Sequence, residues 1–345
     1  MLLLVFTIAC TPLAEKQTSV GVLVSLSGPG AQLGEQLLNG ALLAADLVNA
    51  REGLKGHTIQ IVPEDSQNDP KLALSGFQKL VDVQNIHFIL GAGSGAMLSV
   101  LPLVDQKNIV LFADASHPKI TGTSELVFRH AIVADENAKI MVDLLKDTLV
   151  QSIAILTTDD EYGAAFQQAL VYQLGVLKPA ATITKEIYSN KDADFKTTIG
   201  KLLSQKPETV FLVGYGTSAG IVIKQLRELG FTGTLITDFG SVLTPGILAS
   251  AGEAAKGMYY SKFRDLSPDF ANTYKAKFGK EPGNIAFLMY GDIELLAAAI
   301  KEVGDDPQKV ASWIRSKTEF QGSYENMRIT EKGDILPPIM MDVLK

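Results

Sequence analysis

The chain has 345 residues and a formal net charge of −7, with 46% hydrophobic and 20% charged residues. This length favours two domains. Lys and Arg are scattered singly along an acidic chain, which argues against a nucleic-acid partner. No apolar run reaches the roughly 18 residues of a membrane-spanning helix, so no such helix is predicted.

The N-terminal stretch LLLVFTIA directly precedes Cys10, the only cysteine of the chain. The stretch is too short to span a membrane but has the length of a signal-peptide hydrophobic region. The letters TIAC resemble the bacterial lipobox, in which the cysteine is lipidated. A buried N-terminal strand with an incidental cysteine is the alternative. We predict a signal segment and linker over residues 1–17, a periplasmic or extracytoplasmic location, and a lipid anchor at Cys10.

From residue 20 onward, short β-branched runs alternate with amphipathic segments, which predicts βαβ units and a mainly parallel sheet. Asp69 before Pro70 is a typical helix start, because it combines an N-cap with proline at the first helical position. The strands predicted in the first half are SVGVLVSL, HTIQIVPE, IHFIL and NIVLFA. The helices predicted there cover residues 31–50, 70–84 and 95–107.

After LVFRHAIVADENA the same alternation restarts, so a second α/β half follows the first. Its predicted strands are QSIAILTT, ATITKEIY, ETVFLVGY, GTLITD and KGMYYSKF. Helices are predicted from about residues 162, 193 and 218. From about residue 267, three further helices precede strands around YENMRIT and PPIMMDVL. The predicted fold class is therefore α/β, with two doubly wound halves.

In open α/β sheets, ligands bind beyond the carboxyl ends of the strands. The loops at these positions carry hydroxyls and helix starts in the first half, and aromatic side chains with a carboxylate in the second. The ligand-binding candidates are Ser27, Ser94, Gly95, Asp114, Ala115, Ser116, Tyr162, Tyr215, Asp238 and Phe239, with Ser25 and Gly28 in the first of these loops.

Free amides at a helix N-terminus beside a serine hydroxyl suit a carboxylate or similar anion. Ser94 with Gly95, and Ser116 in the next loop, fit this chemistry. Each serine could instead be a simple N-cap. Three such loops at consecutive strand ends favour ligand binding, and no cofactor is predicted.

Three enzyme classes compete with a binding site. The stretch SLSGPGAQLG gives G-x-G-x-x-x-G, one residue longer than the dinucleotide fingerprint, and its acidic pair comes too late for a ribose contact. The stretch GTSAG fits a nucleophile elbow, but that fold needs a histidine after the serine, and every histidine of the chain precedes Ser218. The sequence therefore favours neither a dehydrogenase nor a hydrolase.

Metal catalysis is disfavoured because no histidine or cysteine pair has ligand spacing. The stretch DSQND resembles the start of a calcium loop, but Pro70 replaces the required glycine, so we interpret it as a polar loop. His117 is the one histidine at a strand-end loop, and a lone imidazole there is more often a rim residue than a base.

Motifs along nearly the whole chain after residue 18 together resemble the leucine/isoleucine/valine-binding type of periplasmic binding protein, the type I solute-binding proteins of ABC transporters. They begin with VGVLVSLSGPGAQLGEQLLNGALLAADLVNA and GLKGHTIQIVPEDSQNDPKLALSGFQKLV. Later stretches are GAGSGA, ADASHPKIT, DDEYGAAF, ETVFLVGYG and AGEAAKGMYY. Each piece alone is degenerate, but their order and spacing are specific.

The resemblance implies two lobes joined by three crossing strands and closing on a small solute. Lobe 1 would take residues 18–131 and 263–330, and lobe 2 residues 132–262 and 331–345. It also implies a carboxylate-bearing ligand, most simply a branched-chain amino acid, and delivery to an ABC transporter permease without chemical change. A ligand-sensing role for the same clamp is the alternative.

The resemblance assigns the carboxylate to Ser94 and Ser116, and ring contacts to Tyr162 and Tyr215. Asp114 stands where the family usually has a small residue whose carbonyl meets the ammonium group. The family's ammonium-binding acid aligns with Phe239, and Asp238 lies one place earlier. Either Asp238 takes that role, or the site has exchanged a charge for an aromatic surface and binds acids without an amine.

Overall fold

A computed structural model describes residues 16–51, 57–238, 244–263 and 265–345. Two sheets, both mostly parallel, form the centres of two units, as predicted from the alternating pattern. Cys10 and Phe239 lie outside the described residues. Within the described ranges, no helix combines the length and apolarity that crossing a membrane requires.

The first sheet has eight strands in the order β11-β12-β13-β5-β4-β3-β1-β2. Its strands are β1 Lys16–Val24, β2 His57–Asp65, β3 Phe88–Ala92, β4 Val110–Asp114, β5 Val127–His130, β11 Glu319–Gln321, β12 Asn326–Ile329 and β13 Asp334–Leu336. Strands β4 and β5 are buried almost throughout, as expected of parallel strands with both faces covered.

Helices from both ends of the chain cover this sheet. They are α1 Ala31–Ala50, α2 Pro70–Gln78, α3 Ser94–Lys107, α9 Pro268–Phe278, α10 Ala286–Val303 and α11 Pro307–Arg315. The predicted start of α2 is confirmed, because the Asp69 carboxylate accepts hydrogen bonds from the amides of Lys71 and Leu72 at 2.8 and 3.1 Å. Helix α10 packs along α1, so a C-terminal segment completes the wall that α1 begins.

The second sheet has six strands in the order β14-β10-β9-β8-β6-β7. They are β6 Ser152–Thr158, β7 Thr182–Tyr188, β8 Thr209–Val213, β9 Thr234–Thr237, β10 Tyr259–Phe263 and β14 Ile339–Val343. The helices are α4 Ala134–Asp143, α5 Glu161–Leu177, α6 Lys196–Leu203, α7 Gly216–Glu228 and α8 Pro245–Ala251. Separate apolar clusters lie on its two faces.

The last crossing between the units differs from the predicted boundary at residue 331. Strand β13 pairs in parallel with β5, with Asp334 opposite Arg129, so this stretch belongs to the first sheet. Only β14 joins the second sheet, by antiparallel pairing with β10. Phe263 ends β10 in the second sheet, and its ring packs in the core of the first unit, 5.6 Å from the Phe287 ring. The buried ion pair between Arg129 and Asp334, at 2.6 Å, ties β13 in place.

Candidate ligand-binding cleft

The two sheets face each other at their topological switch points, the positions at which the order of the strands reverses. In the first sheet, β1 lies between β2 and β3, and in the second, β6 lies between β7 and β8. The loops that leave neighbouring strands at such a point diverge to opposite faces and open a crevice at the carboxyl ends. The cleft between the units is built from these loops, as the sequence predicted.

One glycine in each unit lets the following helix pack against the strand end. A Cβ on Gly34 of α1 would lie 1.8 Å from the Ser25 carbonyl oxygen, and one on Gly163 of α5 would lie 2.0 Å from the Thr158 carbonyl oxygen. No side chain fits in either place. The stretch SLSGPGAQLG therefore forms a tight strand-to-helix joint whose residues Ser25, Gly30, Leu33 and Gly34 line the cleft.

The start of α3 carries the clearest polar group of the cleft. Ser94 is 2% exposed, and its hydroxyl oxygen has no hydrogen-bond partner among the described residues. The amides of the first turn of a helix have no acceptor within the helix. Ser94 therefore combines an unsatisfied hydroxyl with the positive end of a helix dipole, which is the chemistry that a carboxylate requires.

The loop after β4 lies beside it. Ala92 pairs with Asp114 across β3 and β4, so Asp114, Ala115 and Ser116 follow directly from the strand next to the Ser94 loop. All three line the same cavity as Ser94. Burial raises the pKa of the Asp114 carboxyl to about 7, although the charge of protonated His130 acts to lower it.

The wall from the second unit is aromatic. The Tyr162 ring stands at 78° to the Tyr215 ring, with 6.0 Å between their centroids. The Tyr162 hydroxyl donates to the Asp238 carboxylate, and the Tyr215 hydroxyl donates to Asp160 at 2.6 Å. Burial first, and then the adjacent carboxylate, raise the pKa of both tyrosines above the usual range, so both hydroxyls stay protonated.

The two units touch across the cleft. The Asn68 side-chain amide donates to the Tyr215 hydroxyl at 2.7 Å, and the Gly246 amide donates to the Gln32 side chain at 3.2 Å. A Cβ on Gly216 would lie 2.4 Å from the Pro29 carbonyl oxygen, so the backbones themselves come close. The lobes are thus closed on each other in this structure.

A cavity of about 100 Å³ lies between the closed lobes. Leu33 and Leu37 of α1 and Ile285 before α10 give it an apolar side. A space of this size suits a compact solute and is far too small for a dinucleotide. No Lys, Arg or His is among the described residues that line it.

Six of the predicted ligand-binding residues line this cavity, namely Ser94, Asp114, Ala115, Ser116, Tyr162 and Tyr215. Gly95 lines the adjoining part of the cleft. Ser27 is a correction. Its hydroxyl is exposed and donates to Asp65 at 2.6 Å, and Ser25 from the same loop lines the cavity in its place.

Asp238 lies behind the wall. It is fully buried, accepts from Tyr162 and from the Gly214 amide at 3.3 Å, and is not among the residues that line the cavity. A carboxylate in this position holds the Tyr162 ring in place. The predicted alternative at this loop, Phe239, falls outside the described residues.

Several residues that line the cavity were not among the predicted ones. Asn68 was interpreted as part of a polar loop, and its signal is its place after β2, beside the switch point. The apolar residues Leu33, Leu37 and Ile285 also line the cavity, and nothing in the sequence distinguishes them from core positions. In the described part of the chain, no group of His, Cys, Asp or Glu has the arrangement of a metal site.

These features define a class: a two-lobed α/β protein that encloses a compact solute between the switch points of two sheets. The family model of the periplasmic binding proteins matches residues 17–335. The chain therefore belongs to that family. The type I assignment and the two-lobed fold predicted from the sequence are confirmed, and membership makes the chain a substrate-binding protein of the periplasmic or extracytoplasmic space.

Individual relatives agree with this assignment. The chain is 29% identical over 329 residues to an amino acid binding protein of Pseudomonas aeruginosa, covering 92% of this chain and 87% of the relative. A leucine binding protein from Thermotoga maritima has the same fold, with a TM-score of 0.87, 21% identity and 95% of each chain covered. An R. palustris solute binding protein in complex with benzoate matches with a TM-score of 0.81, 19% identity and coverage of 95% of this chain and 93% of its own.

Proposed function

We propose that the protein captures an α-amino acid with a small apolar side chain, of the branched-chain type, and delivers it unchanged to an ABC transporter permease. The buried Ser94 hydroxyl without a partner, at the start of α3, carries the proposal. The ligand carboxylate accepts from this hydroxyl and from the first amides of α3, and Ser116 in the neighbouring loop completes the carboxylate site.

The remaining surfaces fit the rest of such a ligand. The side chain extends toward Leu33, Leu37 and Ile285, and the rings of Tyr162 and Tyr215 cover the ligand from the second lobe. A micromolar complex requires about 8 kcal/mol, and a hydrogen bond to a charged group contributes about 1.5 to 3 kcal/mol. A few such bonds plus apolar contact reach that value without any covalent chemistry.

Acids without an amine fit less well. The described residues that line the cavity include a carboxylate, Asp114, but no basic side chain. A ligand with only a negative charge would face this carboxylate without a counter-ion, which costs free energy in a site shielded from water. A zwitterion brings its own positive charge.

Mass spectrometry of small molecules released from protein purified under native conditions tests the function. A thermal-shift panel of amino acids and their deaminated counterparts should follow. We expect an unmodified amino acid in the released fraction, and stabilisation by leucine-like amino acids above that by the matching acids. Stabilisation by the acids alone, or conversion of an added amino acid, would overturn the proposal.

A lipid anchor at Cys10 and residues 1–17 as its signal segment and linker also stay proposals. They are supported by the short apolar stretch before the only cysteine. Labelling of expressing bacteria with radioactive palmitate should mark the native chain and leave Cys10→Ser unlabelled. Equal labelling of both chains, or of neither, would contradict the anchor.

A further inference from the structure

Asp114 differs from Asp160 and Asp238, two other carboxylates near the cleft, because no hydrogen-bond donor among the described residues contacts its carboxyl group. Asp238 accepts from Tyr162 and Gly214, and Asp160 accepts from Tyr215 and from the Gly163 amide at 2.8 Å. Among the described residues, no donor lies within hydrogen-bond distance of the Asp114 carboxyl, although its backbone carbonyl accepts from Gly93 at 3.0 Å. It is also the only one of these three that lines the central cavity.

The charges behind Asp114 do not neutralise it. His130 on the neighbouring strand β5 is completely buried and lies 2.9 Å from Asp292 of α10 and 3.7 Å from Glu325. Burial opposes its charge, but these two carboxylates raise the pKa of His130 to about 10. Its single positive charge is thus already shared between two carboxylates.

Among the described residues, the other groups around Asp114 offer no second cation. Asp292 repels it, and Tyr162 across the cavity keeps its proton because its pKa lies far above neutral. An ionised Asp114 therefore has an uncompensated charge that faces the cavity. A cation in the cavity would supply both the missing charge and the missing hydrogen-bond donor.

The position of Asp114 fixes what kind of cation fits. Strands β3 and β4 are adjacent, so their ends lie about 5 Å apart, and Ala92 opposite Asp114 is two residues before Ser94. Ser116 follows two residues after Asp114. The carboxylate site and Asp114 are therefore neighbours, at a separation suited to two charged groups attached to one carbon.

We propose that Asp114 binds the ammonium group of the ligand, so that the first lobe alone holds both charged groups of an α-amino acid and rejects the deaminated acid. This inference rests on the proposed amino-acid-binding function. Under this proposal Asp114 is the carboxylate that contacts the ligand, and Asp238, which lies behind Tyr162, is not. It makes Asp114 a residue that determines specificity.

Binding of an ammonium group should displace a proton. With the lobes closed and no ligand between them, burial raises the pKa of Asp114 to about 7, and an adjacent cation favours the ionised form. Relative to this empty closed state, binding near neutral pH therefore releases a fraction of a proton for each ligand. Affinity should fall as the pH decreases below about 7, because the proton then competes with the ammonium group.

Isothermal titration calorimetry of the native protein tests this, with L-leucine, L-valine and L-alanine as probes and isocaproate, isovalerate and propionate as their deaminated partners. Titrations at pH 7 in buffers of different ionisation enthalpy count the protons exchanged. We expect proton release by the native protein. We also expect Asp114→Asn to bind the amino acids about 10- to 100-fold more weakly, with no proton exchanged.

Asp147→Asn is the matched control. It removes the same charge from an exposed position just before β6, at the amino end of the second sheet and opposite the cleft. Its affinity and proton count should equal those of the native protein. The native protein's own proton count needs no variant, so a folding defect in Asp114→Asn would not affect it.

Two failures are distinguishable. If the native protein binds none of the amino acids, the proposed function itself fails. If it binds them but takes up protons or exchanges none, or if Asp114→Asn binds them as tightly, only the role of Asp114 is overturned. The role would be supported if the ratio of deaminated-acid affinity to amino-acid affinity is higher for Asp114→Asn than for the native protein.

Discussion

The two walls of the cleft use polar groups in different ways. On the first lobe, the Ser94 hydroxyl and the Asp114 carboxyl face the cavity with no hydrogen-bond partner in the described part of the chain. On the second lobe, the hydroxyls of Tyr162 and Tyr215 already donate to carboxylates of their own lobe. The first lobe is therefore prepared to receive a solute, whereas the second is prepared to cover it. This division suits a clamp in which the solute binds one open lobe before closure.

The buried residues that support the two walls also differ. The first wall rests on the buried cluster of His130, Asp292 and Glu325, and the second on tyrosine–carboxylate pairs. The largest expected effect follows from breaking this cluster. His130→Gln leaves two buried carboxylates without a cation and should lower the free energy of unfolding by about 3 to 5 kcal/mol, measured by urea denaturation. His87→Gln, at a partly exposed histidine, is the control.

The same variant carries a pH signature. The pKa of His130 is about 10 in the folded protein and 6.5 as the unfolded reference. Its stabilising contribution is therefore complete below about pH 6.5 and is lost as the pH rises toward 10. The stability gap between the native protein and His130→Gln should shrink over that window. A gap that grows with pH would contradict a protonated His130.

The strand-to-helix joints should respond alike in both lobes, despite their different walls. Gly34→Ala and Gly163→Ala each force a methyl group against a carbonyl oxygen, so each should lose about 1 to 3 kcal/mol of unfolding free energy. Gly175→Ala in the same helix as Gly163 meets nothing within 4 Å and should gain up to about 1 kcal/mol. Thermal melts of the three variants check this order, and a stable Gly34→Ala would refute the close packing at that joint.

The hydroxyl of the first wall should matter for binding and little for folding. Ser94→Ala removes a donor to a charged group, so affinity for the amino acid ligand should fall about 10- to 100-fold, measured by calorimetry. Ser99→Ala lies in the same helix, where its hydroxyl donates to the Ala96 carbonyl at 2.6 Å, and should keep full affinity. Equal affinities for the two variants would remove Ser94 from the carboxylate site.

The smallest expected effect concerns the second wall. Tyr215→Phe removes the acceptor for Asn68 across the cleft, and with it one neutral hydrogen bond of the closed state. The bond from Tyr215 to Asp160 is also lost, but it lies within the second lobe and is lost from the open and closed states alike. Affinity should fall only about 2- to 10-fold, through faster dissociation, which stopped-flow fluorescence measures. Tyr172→Phe changes an exposed tyrosine and should have no effect. A loss as large as that of Ser94→Ala would mean that Tyr215 contacts the ligand's charge.

Much of the fold followed from local patterns. The first helix was predicted at 31–50 and occupies Ala31–Ala50, because its apolar periodicity is long and continuous. The short strands β5 and β13 were missed, as was the ten-residue helix α4. A strand of three or four residues has too few positions to show a period, and pairing with neighbours far along the chain defines it.

Site residues could be predicted where they lie in loops that follow strands. They could not be predicted where tertiary packing determines which side chains reach the cavity. Ser94, Ser116, Tyr162 and Tyr215 stand at strand ends, and topology alone brings them together. Ile285 reaches the cavity only because α10 packs on α1, from a segment more than two hundred residues away. The direction of the Asp238 side chain, toward Tyr162 and away from the cavity, is likewise set by tertiary contacts, here within the second unit.

Small-angle X-ray scattering tests the central claim most directly, with ligand-free protein measured alone and with the amino acid that gives the largest thermal shift. Closure of the lobes around the solute predicts a smaller radius of gyration on binding, at concentrations where calorimetry shows saturation. Identical scattering curves with and without the bound amino acid would contradict the clamp.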